Sequence, residues 1–460
     1  MISQSLRRDL WWKAFRWTAR LDLPRLAAWL LDRAIKEASG GIAPSPQAAH
    51  VLVLDKPGMS EDGRAAFDGD PRFRLFVLDT VGIKAFKAMI SVFLPPEIDD
   101  YNYVDDRPAV AAGRAAYRAF MARTWAALAA RRRIDAVLTG NFAYYAEREV
   151  QAVLQARGIP FIALHKENLK SEGRGAFFTD IYRTRRGRFQ GRRILVYNTV
   201  ERDVQIAAQV AAAAAVTITG MPRLDRMHAW RRGAAAAPSS VPERRPCALF
   251  FSFTEKTGLP FLPRKDMAGV AGNAEVLGDS LDALAWRELT RLFLDAAVTL
   301  ARRAPDIDVV IKSKAGPRAR DTVGDHVTAH GDVPANLSII AGGDPMSLIA
   351  AADAVTGFIS TALFEALAAG KPVVCPRFAE AADPAMAEYL IDMAAAVDYA
   401  DTPEALVEAM AAHARARATP SAELPAATAA LLVRWTGNAD GRAGARTAEA
   451  VWAEIAGSSK

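Results

Sequence analysis

Short apolar runs alternate with amphipathic stretches over most of the 460-residue chain. Runs such as 50–55, 73–79 and 159–164 have the length of buried strands and end in polar or turn residues, whereas 109–133 has the length and composition of a helix. Apolar strands that alternate with helices predict parallel sheets covered on both faces. The predicted fold class is therefore α/β, doubly wound.

The alternation is interrupted over residues 227–246, which are small, polar and proline-bearing, as linkers are. It restarts at Cys247, so the chain divides into two α/β halves of similar size. The predicted organisation is a basic amphipathic helical arm over 1–46, an N-terminal domain over 47–226, a linker over 227–246, a C-terminal domain over 247–440 and a C-terminal helix over 441–460.

The N-terminal arm interleaves tryptophan with arginine and lysine, and four tryptophans lie at Trp11, Trp12, Trp17 and Trp29. A basic amphipathic helix with tryptophans can lie on an anionic membrane surface, which assigns peripheral membrane contact to residues 1–40. The competing interpretation is an arm packed on the domain behind it. The pattern leaves both interpretations open.

The net charge of +6 favours anionic partners such as phosphates, nucleotides, acidic glycans or a membrane surface. Nucleic acid is not favoured, because no dense basic and aromatic stripe appears. Charged residues interrupt the first 25 residues, and no apolar run reaches the roughly 18 residues that a spanning helix needs. We therefore expect a cytoplasmic protein. The N-terminal arm suggests the further alternative that the protein lies peripherally at the inner face of the cell membrane.

The metal-binding residue types are sparse. Cys247 and Cys375 lie in apolar strand-like runs and are predicted to be buried thiols. His326 and His330 have a ligand-like spacing, but no cysteine or second histidine pair lies near them in the sequence. We predict neither a metal nor a resident cofactor.

The stretch 354–376 contains the clearest candidate site. It predicts a strand, a helix that begins at Ser360 or Thr361 and ends at Gly370, and a second strand after Pro372. Free N–H groups, the positive end of the dipole and two hydroxyls make such a helix start an anion site. Glu365 lies one turn further on the same face as Thr361, where it suits a ribose; the competing interpretation is an ordinary capped helix.

Polar residues that follow other strands extend the candidate site. In the C-terminal half, Ser252 offers a hydroxyl, and Lys312 and Lys314 flank a serine in a loop suited to a diphosphate. Between the halves, Arg223 is positioned to grip a phosphate bidentately, or else to pair with Asp225.

In the N-terminal half, the strand that ends at Leu164 is followed by four polar residues, 165–168. Glu167 beside a lysine and a histidine is the predicted general base, with Asp55 as the second candidate and His165 as a further catalytic residue. The competing interpretation is a solvated surface loop.

Two spaced motifs together resemble a known class. Gly-x-Pro-Arg-x-Asp at 220–225 and Ser-Thr-x-x-x-Glu-Ala-x-x-x-Gly-Lys-Pro-Val-Val at 360–374 resemble bacterial surface-carbohydrate (capsule or lipopolysaccharide) biosynthesis proteins. These look like nucleotide-sugar glycosyltransferases with two facing Rossmann-like domains, the GT-B fold, which UDP-N-acetylglucosamine 2-epimerase also uses. Residues 165–167 and 440–442 are similar as well, and the resemblance spans roughly residues 130–455 at motif level.

The resemblance implies that Ser360 and Thr361 bind the donor's phosphates and that Glu365 binds its ribose. It further implies a metal-independent, inverting transfer with a carboxylate of the N-terminal half as base, the nucleotide sugar being a substrate. Relatives that use CMP-linked acidic sugars or CDP-glycerol often carry a His-Pro pair where this chain has Ser313-Lys314-Ala315. In this interpretation Lys312 or Lys314, in place of that histidine, neutralises the negative charge of the leaving nucleotide.

The leading hypothesis is a glycosyltransferase that moves a sugar from a nucleotide-sugar donor to a surface polysaccharide or a lipid-linked glycan. A sugar-nucleotide 2-epimerase or a polyol-phosphate transferase is the second hypothesis. A non-catalytic nucleotide-binding scaffold at the membrane is the third.

Overall fold

The computed structural model describes residues 4–38, 42–56, 59–100, 102–236, 244–259, 284–314 and 317–458. It divides into two compact units, and the chain passes between them more than once. Unit 1 comprises residues 1–168, 175–223 and 442–460, and unit 2 comprises residues 169–174 and 224–441. The predicted α/β class with two doubly wound units is confirmed, because each unit carries its own largely or wholly parallel sheet.

Unit 1 is built on a seven-stranded sheet. Its strands are β1 (Lys36–Glu37), β2 (Ala49–Asp55), β3 (Phe73–Asp79), β4 (Ala136–Thr139), β5 (Phe161–Leu164), β6 (Arg193–Val196) and β7 (Val216–Ile218). The order across the sheet is β1-β3-β2-β4-β5-β6-β7, with only the short edge strand β1 antiparallel among them.

Helices cover both faces of this sheet. They are α1 (Gln4–Arg20), α2 (Pro24–Ala34), α3 (Met59–Phe67), α4 (Ala85–Ile90), α5 (Pro108–Ala129), α6 (Arg148–Gln155), α7 (Gly175–Ile181) and α8 (Thr199–Ala207). The alternation along β2 shows the two faces: Leu52 and Leu54 join the core that contains α1 and α2, whereas Val51 and Val53 join a second core with α3. The sheet is therefore buried on both sides, as parallel sheets are.

Unit 2 contains a six-stranded, wholly parallel sheet. Its strands are β8 (Cys247–Phe251), β9 (Asp308–Ser313), β10 (Leu337–Ala341), β11 (Ala354–Thr356), β12 (Val373–Pro376) and β13 (Asp398–Ala400). The remaining helices are α9 (Leu224–Ala236), α10 (Arg287–Arg303), α11 (Pro317–Ala329), α12 (Pro345–Ala351), α13 (Thr361–Ala368), α14 (Pro403–Ala416) and α15 (Ala426–Thr436), followed by α16 (Ala443–Ser458) in unit 1. None of the helices that the described residues form has both the length and the apolar composition needed to cross a bilayer.

Part of the predicted linker is helical. Residues 227–236 belong to α9, and 237–243 lie outside the described residues. Leu224, Met227, His228 and Arg231 are buried along one side of this helix, at the spacing of an amphipathic helix. The sequence does not show this spacing as an apolar pattern, because two of the four buried residues, His228 and Arg231, are not apolar.

The C-terminal helix α16 returns to unit 1. Ala448, Val451 and Ile455 pack into the same core as Val51 and Val53 of β2. Glu454 on this helix pairs with Arg192 and Arg193 at the start of β6. The last helix therefore completes the second face of the unit 1 sheet.

We expect Val451→Ala to destabilise unit 1 by about 2 kcal/mol, because Val451 is almost fully buried in that core. Urea unfolding, with hydrogen exchange of β2 as the local readout, measures the effect. Val433→Ala on α15 is the matched control, since Val433 is 61% exposed. Equal effects of the two substitutions would contradict the packing described for α16.

Candidate functional site

The strand order of unit 2 defines where a ligand is expected. The order β10-β9-β8-β11-β12-β13 is that of a Rossmann sheet, in which the chain first builds outward from β8 on one side and then on the other. In such sheets ligands bind beyond the carboxyl ends of the strands, at the point where the order reverses. Here that point lies between β8 and β11, directly before the helix that begins at Thr361.

Helix α13 begins as predicted. Ser360 is its N-cap, and the backbone N–H of Ala362 donates to Ser360 Oγ at 3.3 Å. Gly370 closes the following turn with a φ of 70°, which glycine adopts at little cost. The predicted strand–helix–strand unit around Ser360 and Thr361 is thus confirmed as local structure.

The residue before the cap is strained. Ile359 has a φ of 41°, in the left-handed region that β-branched residues rarely adopt. Holding such a residue there costs about 1–3 kcal/mol, and strain of this kind clusters at ligand sites. The turn at Ile359 leads directly into the N-cap Ser360 and the first N–H groups of α13.

A cavity of about 290 Å³ opens beside this turn. It extends from residues 357–360 past the ends of β12 and β13, and its walls are mostly apolar, including Phe358, Leu363 and Met393. The volume is near the lower end of the range for small-molecule sites, and the combination of apolar walls with a few polar groups is typical of them. Of the predicted donor-side residues, Ser360 lines this cavity.

Three polar residues of the cavity were not predicted from the sequence: Arg377, Asp392 and Tyr399. Arg377 follows β12 directly. Polar residues that follow strands were the sequence signal used for the other candidates, so this residue was predictable in the same way. Tyr399 lies on β13; its hydroxyl accepts from the N–H of Met393 at 2.9 Å and donates to Asp392 Oδ1 at 3.2 Å. Burial raises the pKa of Tyr399 to about 12, so the hydroxyl stays protonated at neutral pH.

The other predicted donor-side residues lie outside this cavity. Glu365 is 5% exposed on α13, one turn after Thr361. Ser252 follows β8, and its N–H donates to the carbonyl of Lys312 at 3.0 Å. The Lys312 ammonium turns back to the carbonyl of Ser313, at 2.8 Å, and burial lowers its pKa, whereas Lys314 is exposed.

The Gly-Lys-Pro part of the motif has a structural role. Lys371 Nζ donates to the carbonyls of Ala350 and Ala352 at 3.1 and 2.6 Å, where α12 ends. Burial lowers the pKa of this lysine to about 8. Cationic donors satisfy the free carbonyls at a helix C-terminus, so Lys371 fixes α12 against the sheet.

In unit 1 the corresponding edge is formed by the carboxyl ends of β2, β4 and β5. Glu167, exposed after β5, accepts a hydrogen bond from Asn141 Nδ2 after β4 at 3.0 Å. Asp55 is the last residue of β2, and its carbonyl accepts from the Thr80 hydroxyl at 2.7 Å. One predicted carboxylate therefore ends a strand of this sheet and the other follows a strand by three residues, and the amide of Asn141 orients the exposed Glu167.

A buried ion pair supports this edge. Lys56 Nζ lies 2.5 Å from Glu147 Oε1 and over the ring of Tyr144, and Glu147 Oε2 accepts from the Thr139 hydroxyl at 2.7 Å. Burial lowers the pKa of Lys56, while the adjacent Glu147 opposes that shift. The pair holds the loops after β2 and β4 together next to Asn141.

His165 is fully buried, 0% exposed, and its Nε2 lies 3.0 Å from Glu201 Oε1. Glu201 also accepts from Tyr182 and Gln205. In this arrangement the imidazole does not face solvent, so an acceptor hydroxyl does not reach it. His165 belongs to a buried polar cluster behind the loop that presents Glu167.

Arg223 has a partner that the sequence did not indicate. Its N–H and its Nη1 each donate at 3.1 Å to the two oxygens of Asp62 on α3, and the Tyr197 hydroxyl bonds the same carboxylate. All three side chains are buried, and burial raises the pKa of Tyr197 with a smaller contribution from Asp62. Arg223 therefore bonds a residue 161 positions earlier in the chain, which neither the phosphate interpretation nor the Asp225 interpretation had included.

The spacing of His326 and His330 has a structural counterpart. Residues 317–329 form a helix, and His330 directly follows its last residue. The Nε2 atoms of both rings lie within 3.0 Å of Asp295 Oδ1, and Arg291 pairs with the other oxygen of that carboxylate. The three side chains could hold a cation, but Arg291 already supplies the positive charge that the carboxylate needs.

No family model and no curated protein matches the chain. Solved structures resemble it distantly. UDP-GlcNAc 2-epimerase from Neisseria meningitidis, bound to UDP-GlcNAc, is 12% identical with a TM-score of 0.46 over 89% of this chain and 98% of that chain. The glycotransferase of kitacinnamycin is 16% identical with a TM-score of 0.45, over 89% and 99%. The wall teichoic acid polymerase TagF is 9% identical with a TM-score of 0.48, over 99% and 98%. Likenesses this distant carry no argument about activity.

Substitution of Asp62 tests the buried cluster. Asp62→Ala leaves the Arg223 guanidinium buried without its carboxylate, which we expect to cost about 3–5 kcal/mol of unfolding free energy. Tyr197→Phe retains the ion pair and should cost about 2 kcal/mol. Urea unfolding measures both, with Glu61→Ala, an exposed neighbour on the same helix, as control. A loss for Asp62→Ala no larger than that for Glu61→Ala would show that Arg223 does not depend on this carboxylate.

Proposed function

We propose that the protein is a glycosyltransferase that takes a sugar from a nucleotide-sugar donor and transfers it to a surface polysaccharide or a lipid-linked glycan. The observation that carries the proposal is the apolar cavity beside the strained start of α13, beyond the carboxyl ends of β11 and β12. Its apolar walls suit a nucleobase, and the adjacent N–H groups and hydroxyls suit phosphate oxygens.

The donor is assigned to unit 2. Ser360 and Thr361 bind the phosphates at the start of α13, where the helix dipole favours negative charge. Glu365 accepts hydrogen bonds from the ribose, which requires a nucleotide that lies across the first turn of the helix. Lys314, exposed after β9, is the cation assigned to the diphosphate as the nucleotide leaves. Arg223 is removed from this set, because Asp62 already neutralises it.

The acceptor is assigned to unit 1. Glu167 is the base that takes the proton from the acceptor hydroxyl, and the exposure of its carboxylate and its bond from Asn141 support that role. Asp55 remains the second candidate. His165 becomes a positioning residue, since it is buried against Glu201 behind the loop.

The donor assignment is tested by filling the cavity. Ala387 lines it and is exposed, so Ala387→Trp places an indole at its wall without disturbing the core. In a thermal-shift panel of UDP, GDP, CDP, CMP and their sugars, we expect at least one nucleotide to raise the Tm of the wild type and not that of Ala387→Trp.

Ala385→Trp is the matched control, since Ala385 lies on the same short helical segment, is exposed, and does not line the cavity. This variant should keep the full ligand-dependent shift. The donor assignment fails if no nucleotide stabilises the wild type, or if both tryptophan variants respond as the wild type does.

Substitution of Glu167 tests the proposed base. Glu167→Gln retains the shape and the ability to accept from Asn141, but it cannot take a proton. With the stabilising nucleotide sugar of the panel as donor and cell-envelope glycans as acceptors, we expect nucleotide release to fall by about 10²–10⁴-fold with unchanged binding of the donor. Glu97→Gln, an exposed glutamate of the same unit, is the control. Full activity of a folded Glu167→Gln protein would exclude this role.

The same assay separates the alternatives. An epimerase converts its nucleotide sugar with no acceptor present, so a donor-only incubation followed by NMR would show a new sugar. A transferase leaves the donor unchanged or slowly hydrolyses it until an acceptor is added.

A further inference from the structure

Helix α1 has two apolar faces. One of them packs into unit 1: Phe15 is fully buried, Ala19 is almost so, and Trp11 packs against Phe15 with ring centroids 5.6 Å apart. In α2, Ala27, Ala28 and Leu31 are buried in the same core. The interpretation of the arm as packed on its domain is therefore correct for this face.

The other apolar face is exposed. Leu6, Leu10 and Trp17 are 51%, 53% and 57% exposed, and their spacing of four and seven residues places them on one side of α1. Of the twelve large hydrophobic side chains that are exposed among the described residues, seven lie between positions 6 and 29. The seven are Leu6, Leu10, Trp17, Leu21, Leu23, Leu26 and Trp29; we call them the α1–α2 surface. Exposed apolar groups this concentrated mark a contact surface.

The charge around this surface is positive. Seven basic residues and three acidic ones lie within α1, α2 and the turn between them: Arg7, Arg8, Lys13, Arg16, Arg20, Arg25 and Arg33 against Asp9, Asp22 and Asp32. Two of the three carboxylates are paired elsewhere in unit 1, because Asp22 pairs with Arg123 on α5 and Asp32 pairs with Arg132, which follows that helix. Lys13 lies between Leu10 and Trp17 on the exposed side.

We propose that the α1–α2 surface docks this protein on an anionic phospholipid bilayer, with α1 lying in the plane of the interface. Leucine and tryptophan side chains enter the boundary between headgroups and acyl chains, and the arginines and lysine meet the lipid phosphates. The two faces of α1 have different roles: the buried face packs on unit 1, and the exposed face contacts the lipid. A protein partner would not by itself require tryptophans and basic residues among the exposed leucines, whereas an anionic interface uses both.

The surface is separate from the proposed nucleotide site, which belongs to unit 2. A lipid-linked acceptor is present at such an interface, so the proposal places the enzyme where one class of its proposed acceptors lies. The docking itself does not depend on the transferase assignment, and nucleotide binding can be measured independently of it.

Vesicle co-sedimentation of the full chain tests the proposal. Vesicles of phosphatidylcholine alone and of phosphatidylcholine with phosphatidylglycerol are compared at low and high salt. We expect binding to the anionic vesicles that weakens with salt. The double variant Leu10→Glu, Trp17→Glu should bind them about tenfold or more weakly, with an unchanged circular dichroism spectrum, because both side chains are exposed.

Val433→Glu is the matched control, an equally exposed apolar residue of unit 2 that lies outside the surface. It should bind vesicles as the wild type does. The proposal is overturned if the wild type does not bind anionic vesicles, or if the double variant binds as well as Val433→Glu. It is also overturned if the wild type forms a dimer that the double variant loses while neither binds vesicles, since the surface would then join two copies. The nucleotide-dependent Tm shift is measured in the double variant as well. If that shift is retained, a negative vesicle-binding result counts against the α1–α2 surface and not against the proposed function.

Discussion

The candidate chemistry depends on one constraint of parallel sheets: every strand of such a sheet ends at the same edge. A βα connection leaves that edge each time, so the residues that follow different strands meet there although they are far apart in sequence. In unit 2 the turn 357–360 connects β11 to α13 at this edge, and Ile359 within it has a left-handed conformation. The cap at Ser360, the start of α13 and one wall of the cavity all adjoin this turn.

Buried polar groups and exposed polar groups have different roles at both edges. Arg223 and His165 were predicted as site residues from their type and position, yet each is buried against partners that its own unit supplies. Removing one partner from such a group leaves a buried charge or donor unsatisfied, so these residues stabilise the fold. Glu167 and Lys314 remain exposed at these edges, and the proposed chemistry is assigned to them for that reason.

The sequence was most informative about local structure. Apolar runs located strands such as β2, β3, β5, β11 and β12, and Ser360 and Gly370 located the ends of α13, because caps and strand periodicity act over a few residues. Contacts between distant parts of the chain could not be inferred. The Asp62–Arg223 pair, the burial of His165 behind Glu201 and the return of α16 to unit 1 all depend on how separate segments pack. The short strand β13, which brings Tyr399 to the cavity, has too few residues to show a period.

Hydrogen exchange with and without nucleotide decides where the donor binds, because it reports which segment the ligand contacts. With the UDP, GDP, CDP and CMP panel, we expect a stabilising nucleotide to slow exchange in peptides covering residues 357–364 and 375–377, at the start of α13 and the end of β12. Protection confined to other segments, or no protection by any nucleotide of the panel, would contradict the donor assignment.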